Sequence, residues 1–288
     1  MAFSPEIASI IKEMGYEWTI TDAPLYDAVN QGTSIPYKQI GRVNGLPVFF
    51  RSNEWSNEFS QVRPNSGDYD VAKYVTDLRN NIDFEWFKAH KGYVVLAYDG
   101  ETIGHHVKRY DSGALSAYAY MSRQKGFEPI LFSQLLGKFP FVDVGIKPGS
   151  WSTSVEDIRE GECFPLWSHS KNPIHSVFNE LTGITIEAVH TACESINGND
   201  QARIFYEEAR TSLDYGHNSC KQFWSNPAHE KWEPKHIYTG FNQLAESVHC
   251  ASAAIRLSNP NANFDFDKKI PDIGQRLHEA VRLSTPKK

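Results

Sequence analysis

Over the first half of the chain, segments with apolar residues at helical spacing alternate with short runs of consecutive apolar residues. Apolar residues three or four positions apart predict helices near residues 5–14, 68–89 and 113–125. Short continuous apolar runs between them predict strands, which are YEWTITD, LPVFFRS, YVVLAYD, EPILFS and PFVDVGI. Strands that alternate with helices indicate parallel pairing with the helices outside.

The first predicted helix has a capping residue, a terminating glycine and an apolar stripe. Ser4 can cap its start, and Gly15 can close its end. Its apolar stripe consists of Ile7, Ile10, Ile11 and Met14. Residues 23–46 contain several Gly, Pro and Asn, so they are predicted to form a loop.

The pattern changes to helices alone after about residue 172. Four helices are predicted, over residues 173–195, 200–215, 234–257 and 270–283. The chain therefore divides into an α/β domain over residues 1–160 and an all-helical domain over residues 161–288.

Composition restricts the function. With a net charge of −6, the chain offers no basic field for a phosphate backbone, so we expect no nucleic-acid partner. The four cysteines form no C-x-x-C pair, and no stretch approaches about 18 uninterrupted apolar residues. We expect a cytoplasmic protein with free thiols and no membrane contact.

Candidate chemistry lies where the predicted strands end, because the loops of parallel β/α folds converge there. Asp22, Arg51, Asp99 and Asp143 occupy or approach such ends. Asp99 is the strongest candidate for a general acid, since the neighbouring Glu101 would raise one carboxyl pKa. The structural alternative is that Asp99 caps the next segment and Glu101 binds a backbone amide.

Histidines and tryptophans supply the other candidate contacts. His105 and His106 could join Asp99 at a divalent metal, although adjacent strand residues point to opposite faces. Binding of ligand hydroxyls suits them equally well. Trp151 and Trp167 lie in predicted loops and could stack on sugars, whereas packing is the favoured role for Trp224 and Trp232.

Five segments in order resemble glycoside hydrolase family 57, the α-amylase, glucanotransferase and branching-enzyme group. They are SPEIASIIKEMGYEWTITD, VFFRSNEWSNEFS, LAYDGETIGHH, PGSWSTS and FPLWSHSKNPIH. The resemblance implies a partial (β/α)7 TIM-like barrel followed by an all-helical domain. It also implies retaining chemistry on α-glucans without a cofactor or metal, and leaves hydrolase, glucanotransferase and branching enzyme open.

The resemblance assigns roles to residues as well. The Asp of the family's D-G-E segment is the acid/base, which falls on Asp99, with Glu101 beside it. His105 or His106 would contact sugar hydroxyls, and Arg51, Trp151 and Trp224 would belong to the substrate site. Around Trp224 the sequence departs from the family, because Lys221 stands where many members carry an acid.

The family's nucleophilic Glu precedes a helix that begins like SPEI, and the chain begins with MAFSPEI. Glu6 lies in the first helical turn, so it does not match that Glu. We therefore expect the chain to be a C-terminal part of the catalytic region, completed by a separate chain or a missing segment that carries the N-terminal half-barrel. Two further hypotheses are a silent carbohydrate-binding or regulatory remnant and a metal-dependent polysaccharide deacetylase-like enzyme.

Overall fold

The computed structural model describes most of the chain in two compact units. The described residues are 2–30, 37–61, 71–81, 89, 91–102, 119, 121–261 and 264–286, with backbone alone at 60, 61 and 102. We call Met1–Cys163 the β/α unit and Phe164–Lys288 the helical unit.

Six strands and six α-helices of the β/α unit have described bounds. The strands are β1 (Ala2–Phe3), β2 (Thr19–Asp22), β3 (Ile40–Val43), β4 (Leu46–Arg51), β5 (Phe141–Asp143) and β6 (Gly149–Ser150). The helices are α1 (Pro5–Glu13), α2 (Ala23–Asp27), α3 (Asn53–Gln61), α4 (Val71–Asn81), α5 (Phe132–Leu135) and α6 (Val155–Glu160).

A mixed four-stranded sheet forms the centre of this unit, in the order β2-β4-β3-β5. β2 runs parallel to β4, and β5 runs parallel to β3, whereas β3 and β4 form an antiparallel hairpin. The hairpin turns through Asn44 and Gly45, which both have positive φ angles, of 48° and 77°. The expectation of purely parallel pairing is therefore wrong for β3 and β4.

The first helix is confirmed with its caps. Ser4 accepts a hydrogen bond from the backbone N–H of Ile7, and α1 ends before Gly15, whose φ is +87°. Residues 23–46 were predicted to be a loop, but they contain α2 and β3. A helix starts at Ala23 because Pro24 falls in its first turn, where a missing N–H costs nothing.

Two predicted strands are wrong. EPILFS forms no strand, because its Phe132 begins α5 and stacks against Trp18 with ring centroids 4.7 Å apart. In YVVLAYD, only Val95 makes a strand-like bridge, which is parallel to Arg51. Many backbone groups of this segment form hydrogen bonds with side chains and loop residues, and not with a neighbouring β-strand.

The helical unit is built from four long helices and confirms the predicted ranges. They are α7 (Pro173–Ser195), α8 (Asp200–Gly216), α10 (Pro234–Ser258) and α11 (Ile270–Ser284), with the short α9 (Cys220–Phe223), β7 (Ser225–Asn226) and β8 (Lys231–Trp232) between α8 and α10. α10 packs against the other three long helices, and its Leu244 and Val248 are completely buried. Asparagines cap two starts, Asn172 at α7 and Asn199 at α8.

The sheet of the described residues does not close on itself, so the partial barrel stays a prediction. Among the described helices, none combines the length and the apolar character needed to cross a membrane.

Two glycines of the helical unit give a matched test of its packing. A Cβ on Gly216, at the end of α8, would lie 2.9 Å from side-chain atoms of Leu244 and 3.1 Å from its backbone nitrogen. We expect Gly216→Ala to lower the free energy of unfolding by about 1–3 kcal/mol through overpacking. Chemical denaturation measures the change.

Gly183 of α7 is the control, because a Cβ there meets nothing within 4 Å. We expect Gly183→Ala to raise the free energy of unfolding by up to about 1 kcal/mol, since alanine favours a helix over glycine. Equal effects of the two substitutions would contradict the close approach of α8 and α10.

Candidate functional site

A buried ion pair joins the ends of the parallel strands β2 and β4. Asp22 and Arg51 are the last residues of these strands and lie opposite each other in the register. The Arg51 Nη1 donates to Asp22 Oδ1 over 2.8 Å. Only 1% of Asp22 and 6% of Arg51 is exposed to solvent. The strand-end placement expected from the sequence therefore brings these two side chains together.

Arg51 uses the rest of its guanidinium to hold three other groups. Its Nε donates to the carbonyl oxygen of Ala97 over 2.6 Å, and its Nη2 donates to Asn57 Oδ1 over 2.6 Å. A further bond runs from Nη1 to Asn53 Oδ1. The planar, forked guanidinium suits such a junction, because its donors point in fixed and divergent directions. Arg51 thus connects β2, α3 and the segment that leads to Asp99.

The segment before Asp99 is held by backbone as well as side-chain contacts. Ser52 donates its backbone N–H to the carbonyl oxygen of Val95 over 2.9 Å. The hydroxyl of Ser56, which is completely buried, accepts a hydrogen bond from the backbone N–H of Ala97 over 3.1 Å. Both backbone groups of Ala97 are therefore fixed, two residues before Asp99.

Asp99 lies exposed at the end of this anchored segment. A short 3-10 turn over Gly100–Thr102 follows it, and Glu101 within that turn is also exposed. Among the described residues, neither carboxylate has a hydrogen-bond or ion-pair partner. The described residues thus present an exposed Asp99 carboxylate at the end of a backbone segment that is held in position.

The remaining predicted site residues lie in different surroundings. His105 and His106 fall outside the described residues. Trp151 follows β6 and is 43% exposed. In the helical unit, Trp224 is half-buried and stacks on His236, with ring centroids 5.9 Å apart.

Asp143 also ends a strand, β5, but it points into a surface ion pair. Arg42 Nε donates to its Oδ1 over 2.7 Å and Arg42 Nη2 to its Oδ2 over 3.0 Å. This bidentate contact lowers the pKa of the Asp143 carboxyl. Asp143 is therefore ionised and engaged, which is a poor starting point for an acid catalyst.

Burial dominates the electrostatics of Asp22. Its Oδ2 is buried and has no hydrogen-bond partner within the described part of the chain. Loss of hydration raises the pKa of the Asp22 carboxyl, while the hydrogen bond and charge of Arg51 oppose this rise. The carboxyl group thus accepts a hydrogen bond from Arg51 on Oδ1, while its Oδ2 is shielded from water.

The polar support from α3 was missed in the sequence. Asn53, Ser56 and Asn57 lie at positions i, i+3 and i+4 of a helix that starts directly after β4. That spacing puts polar groups on one helix face and could have indicated that they turn back toward the strand end. Among the described residues, there is no cluster of three or more His, Cys, Asp or Glu side chains that could hold a metal.

Together, the described residues define an α/β unit with carboxylates at the ends of its strands and a unit built mainly from helices. The sequence profile of glycosyl hydrolase family 57 matches residues 1–144, which is half of the chain. The chain therefore belongs to glycosyl hydrolase family 57.

A solved structure with a similar fold is a family 57 branching enzyme from the hyperthermophilic archaeon Thermococcus kodakaraensis, in complex with glucose and additives. The TM-score is 0.60 at 12% sequence identity, and the match covers 98% of this chain and 60% of the branching enzyme. No curated protein matches the sequence.

The buried pair predicts unequal effects of two arginine substitutions. Arg51→Met leaves the Asp22 carboxylate without its partner, so we expect the free energy of unfolding to fall by about 3–5 kcal/mol. Arg42→Met removes the exposed partner of Asp143 and should cost much less, because water screens that pair. Chemical denaturation of both variants measures the two changes. Similar losses in the free energy of unfolding would contradict the burial of the Asp22–Arg51 pair.

The raised pKa of Asp22 predicts a pH dependence of stability. Below the ordinary pKa of 3.8, the Asp22 carboxyl is protonated in both the folded and the unfolded chain, and its contribution to the free energy of unfolding is fully present. Above 3.8, the unfolded chain releases its proton first, so the free energy of unfolding falls until the folded carboxyl ionises.

Asp22→Asn is the reference variant for this measurement, because its amide does not titrate. We expect the stability of the unaltered protein, relative to Asp22→Asn, to fall as the pH rises from about 4 through the folded pKa. Denaturation curves at a series of pH values measure this difference. A relative stability that increases with pH would mean that Arg51 outweighs burial.

Proposed function

We propose that the chain acts in a retaining glycoside hydrolase or transglycosylase on α-glucans, with Asp99 as the general acid/base. Membership of family 57 and the likeness to a branching enzyme solved with glucose support the substrate class. The observation that carries the proposal is the anchored segment, which ends in an exposed carboxylate. We assign it the proton transfer.

The chemistry needs one carboxyl group in two states. Asp99 would first donate its proton to the glycosidic oxygen as the bond breaks, and its carboxylate would then take a proton from the attacking water or sugar hydroxyl. Both steps depend on the position of the carboxyl group. A shift of about 1 Å costs on the order of a hundredfold in rate, so the support of Ala97 by Arg51 and Ser56 is functional in this proposal.

The same proposal gives Arg51 a positioning role. Its contacts to Asp22, Asn53, Asn57 and Ala97 engage all three of its nitrogen atoms. Direct contact with substrate falls instead to Trp151, as a ring for a sugar face, and to His105 or His106, as partners for hydroxyls.

Retaining chemistry also needs a nucleophilic carboxylate about 5–5.5 Å from the acid. We propose that a segment or chain beyond the described residues supplies it. Asp22 is unsuited to that role, because it is buried and bonded to Arg51.

Substitution of Asp99 tests the assignment. We expect Asp99→Asn to lower kcat on α-glucans by about 10²–10⁴-fold, because the amide cannot donate the proton. An aryl α-glucoside with an acidic leaving group should lose much less rate in the bond-breaking step, since its leaving group departs without protonation. Burst and steady-state kinetics on both substrates, with the full chain combined with the segment or chain that supplies the nucleophile, measure the two effects.

Asp143→Asn is the matched control, because Asp143 is another exposed strand-end aspartate and is engaged by Arg42. It should retain most of the turnover. Unchanged glucan turnover in Asp99→Asn would overturn the assignment. Saturable α-glucan binding without turnover, measured with the nucleophile supplied, would favour a binding or regulatory role instead.

A further inference from the structure

The helical unit contains a cavity of about 400 Å³ that is lined by three separate segments. Phe164 and Trp167 contribute aromatic rings from the loop before α7, and Thr182 lies on α7. Lys221 and Gln222 belong to the short helix α9. A cavity of this volume suits a monosaccharide or a ligand of similar size.

Lys221 is the unusual member of this lining. It is only 1% exposed, and its stem packs so closely on α10 that a Cβ on Gly240 would lie 2.5 Å from its Cδ. Its Nζ donates to the carbonyl oxygen of Asn218 over 2.7 Å and lies 5.6 Å from the ring centre of Phe178. Within the described residues, no carboxylate pairs with this ammonium group.

A buried cation without an anion is costly, because it has lost hydration and gained little in return. This cost is visible in the pKa of Lys221, which burial lowers to about 8. Among the described residues that line the cavity there is no Asp or Glu. The charge of an anionic ligand would complement this lining.

Two other polar groups at the cavity are unsatisfied. Thr182 Oγ1 and Gln222 Oε1 are buried, and no described residue forms a hydrogen bond with either atom. The hydroxyl of Thr182 can donate or accept, whereas the carbonyl oxygen of Gln222 accepts only and requires a donor such as a ligand hydroxyl.

The backbone carbonyl of Gln222 is held in place by a completely buried histidine. His175 Nδ1 accepts a hydrogen bond from the backbone N–H of His169 over 3.0 Å. That tautomer leaves the proton on Nε2, which lies 3.1 Å from the carbonyl oxygen of Gln222 and donates to it. The residue that offers the unpartnered oxygen is therefore on a fixed backbone.

We propose that this cavity binds a sugar that carries an anionic group, either a phosphate ester or a carboxylate. The anionic group would bind Lys221 and Thr182, a sugar hydroxyl would donate to Gln222, and the C–H face of the ring would lie on Trp167 or Phe164. Neutral glucose would leave the ammonium uncompensated. This inference concerns the helical unit alone and does not depend on the role of Asp99.

Calorimetric titration of the full chain tests the proposal with four probes. These are glucose 6-phosphate, glucuronate, glucose and inorganic phosphate. We expect one of the two anionic sugars to bind saturably with one site per chain, and about tenfold or more tightly than glucose or phosphate, because a charge-assisted hydrogen bond is stronger than a neutral one. The preferred anionic sugar distinguishes the phosphate from the carboxylate.

Lys221→Met keeps the apolar stem and removes the charge. It should weaken binding of the anionic sugar by about tenfold or more, and bring it close to the affinity for glucose. Lys235→Met removes an exposed lysine outside the cavity and should leave binding unchanged. Circular dichroism confirms that the variants are folded, and Gln222→Leu, which keeps the ammonium, serves as the second variant with an expected loss of affinity.

Three outcomes would overturn the proposal. Equal affinity for glucose and the anionic sugars would show that the charge is not used. Phosphate binding as tight as that of glucose 6-phosphate would reduce the cavity to a simple anion site, and no binding by any probe would remove the site altogether. If Lys221→Met does not fold, unchanged affinity in Gln222→Leu overturns it.

Discussion

The contact between Asp22 and Arg51 is the interaction on which the strand edge depends. It joins two parallel strands at the point where their hydrogen-bond register ends. From the same guanidinium, further bonds reach α3 through Asn53 and Asn57 and the next segment through Ala97. The Arg51 side chain therefore holds β2, β4, α3 and the Ala97 segment together. The position of the exposed Asp99 depends on these contacts, because it lies two residues after Ala97.

Local signals predicted the helical unit, because its helices have clear starts and apolar faces. Asn172 and Asn199 cap the two helices that were predicted to start one residue later, at 173 and 200. In the β/α unit, the strands β2, β4 and β5 were predictable as apolar runs. The hairpin partner β3 was not, because its short run IGRV lies between turn residues and is stabilised by its pairing with β4 and β5 rather than by its own pattern.

The positions of the candidate residues at the strand ends were partly predictable from the sequence. Their positions follow from chain order, so Asp22 and Arg51 could be placed at neighbouring ends. The contact to Ala97 depends on tertiary packing, and YVVLAYD has the composition of a strand while its backbone bonds to Arg51, Ser52 and Ser56. An apolar run shows that a segment is buried, but not which groups satisfy its backbone.

Stability alone does not explain a buried pair such as Asp22 and Arg51. Well-packed apolar residues of similar volume often replace a buried ion pair without loss, because desolvation cancels much of the attraction. Asp22 Oδ2 receives no hydrogen bond from any described residue, so this pair carries an additional cost. Apolar side chains, however, could not bond to Ala97, Asn53 and Asn57 in fixed directions. The pair is therefore best understood as a device for geometry, and a fixed geometry is what an acid at Asp99 requires.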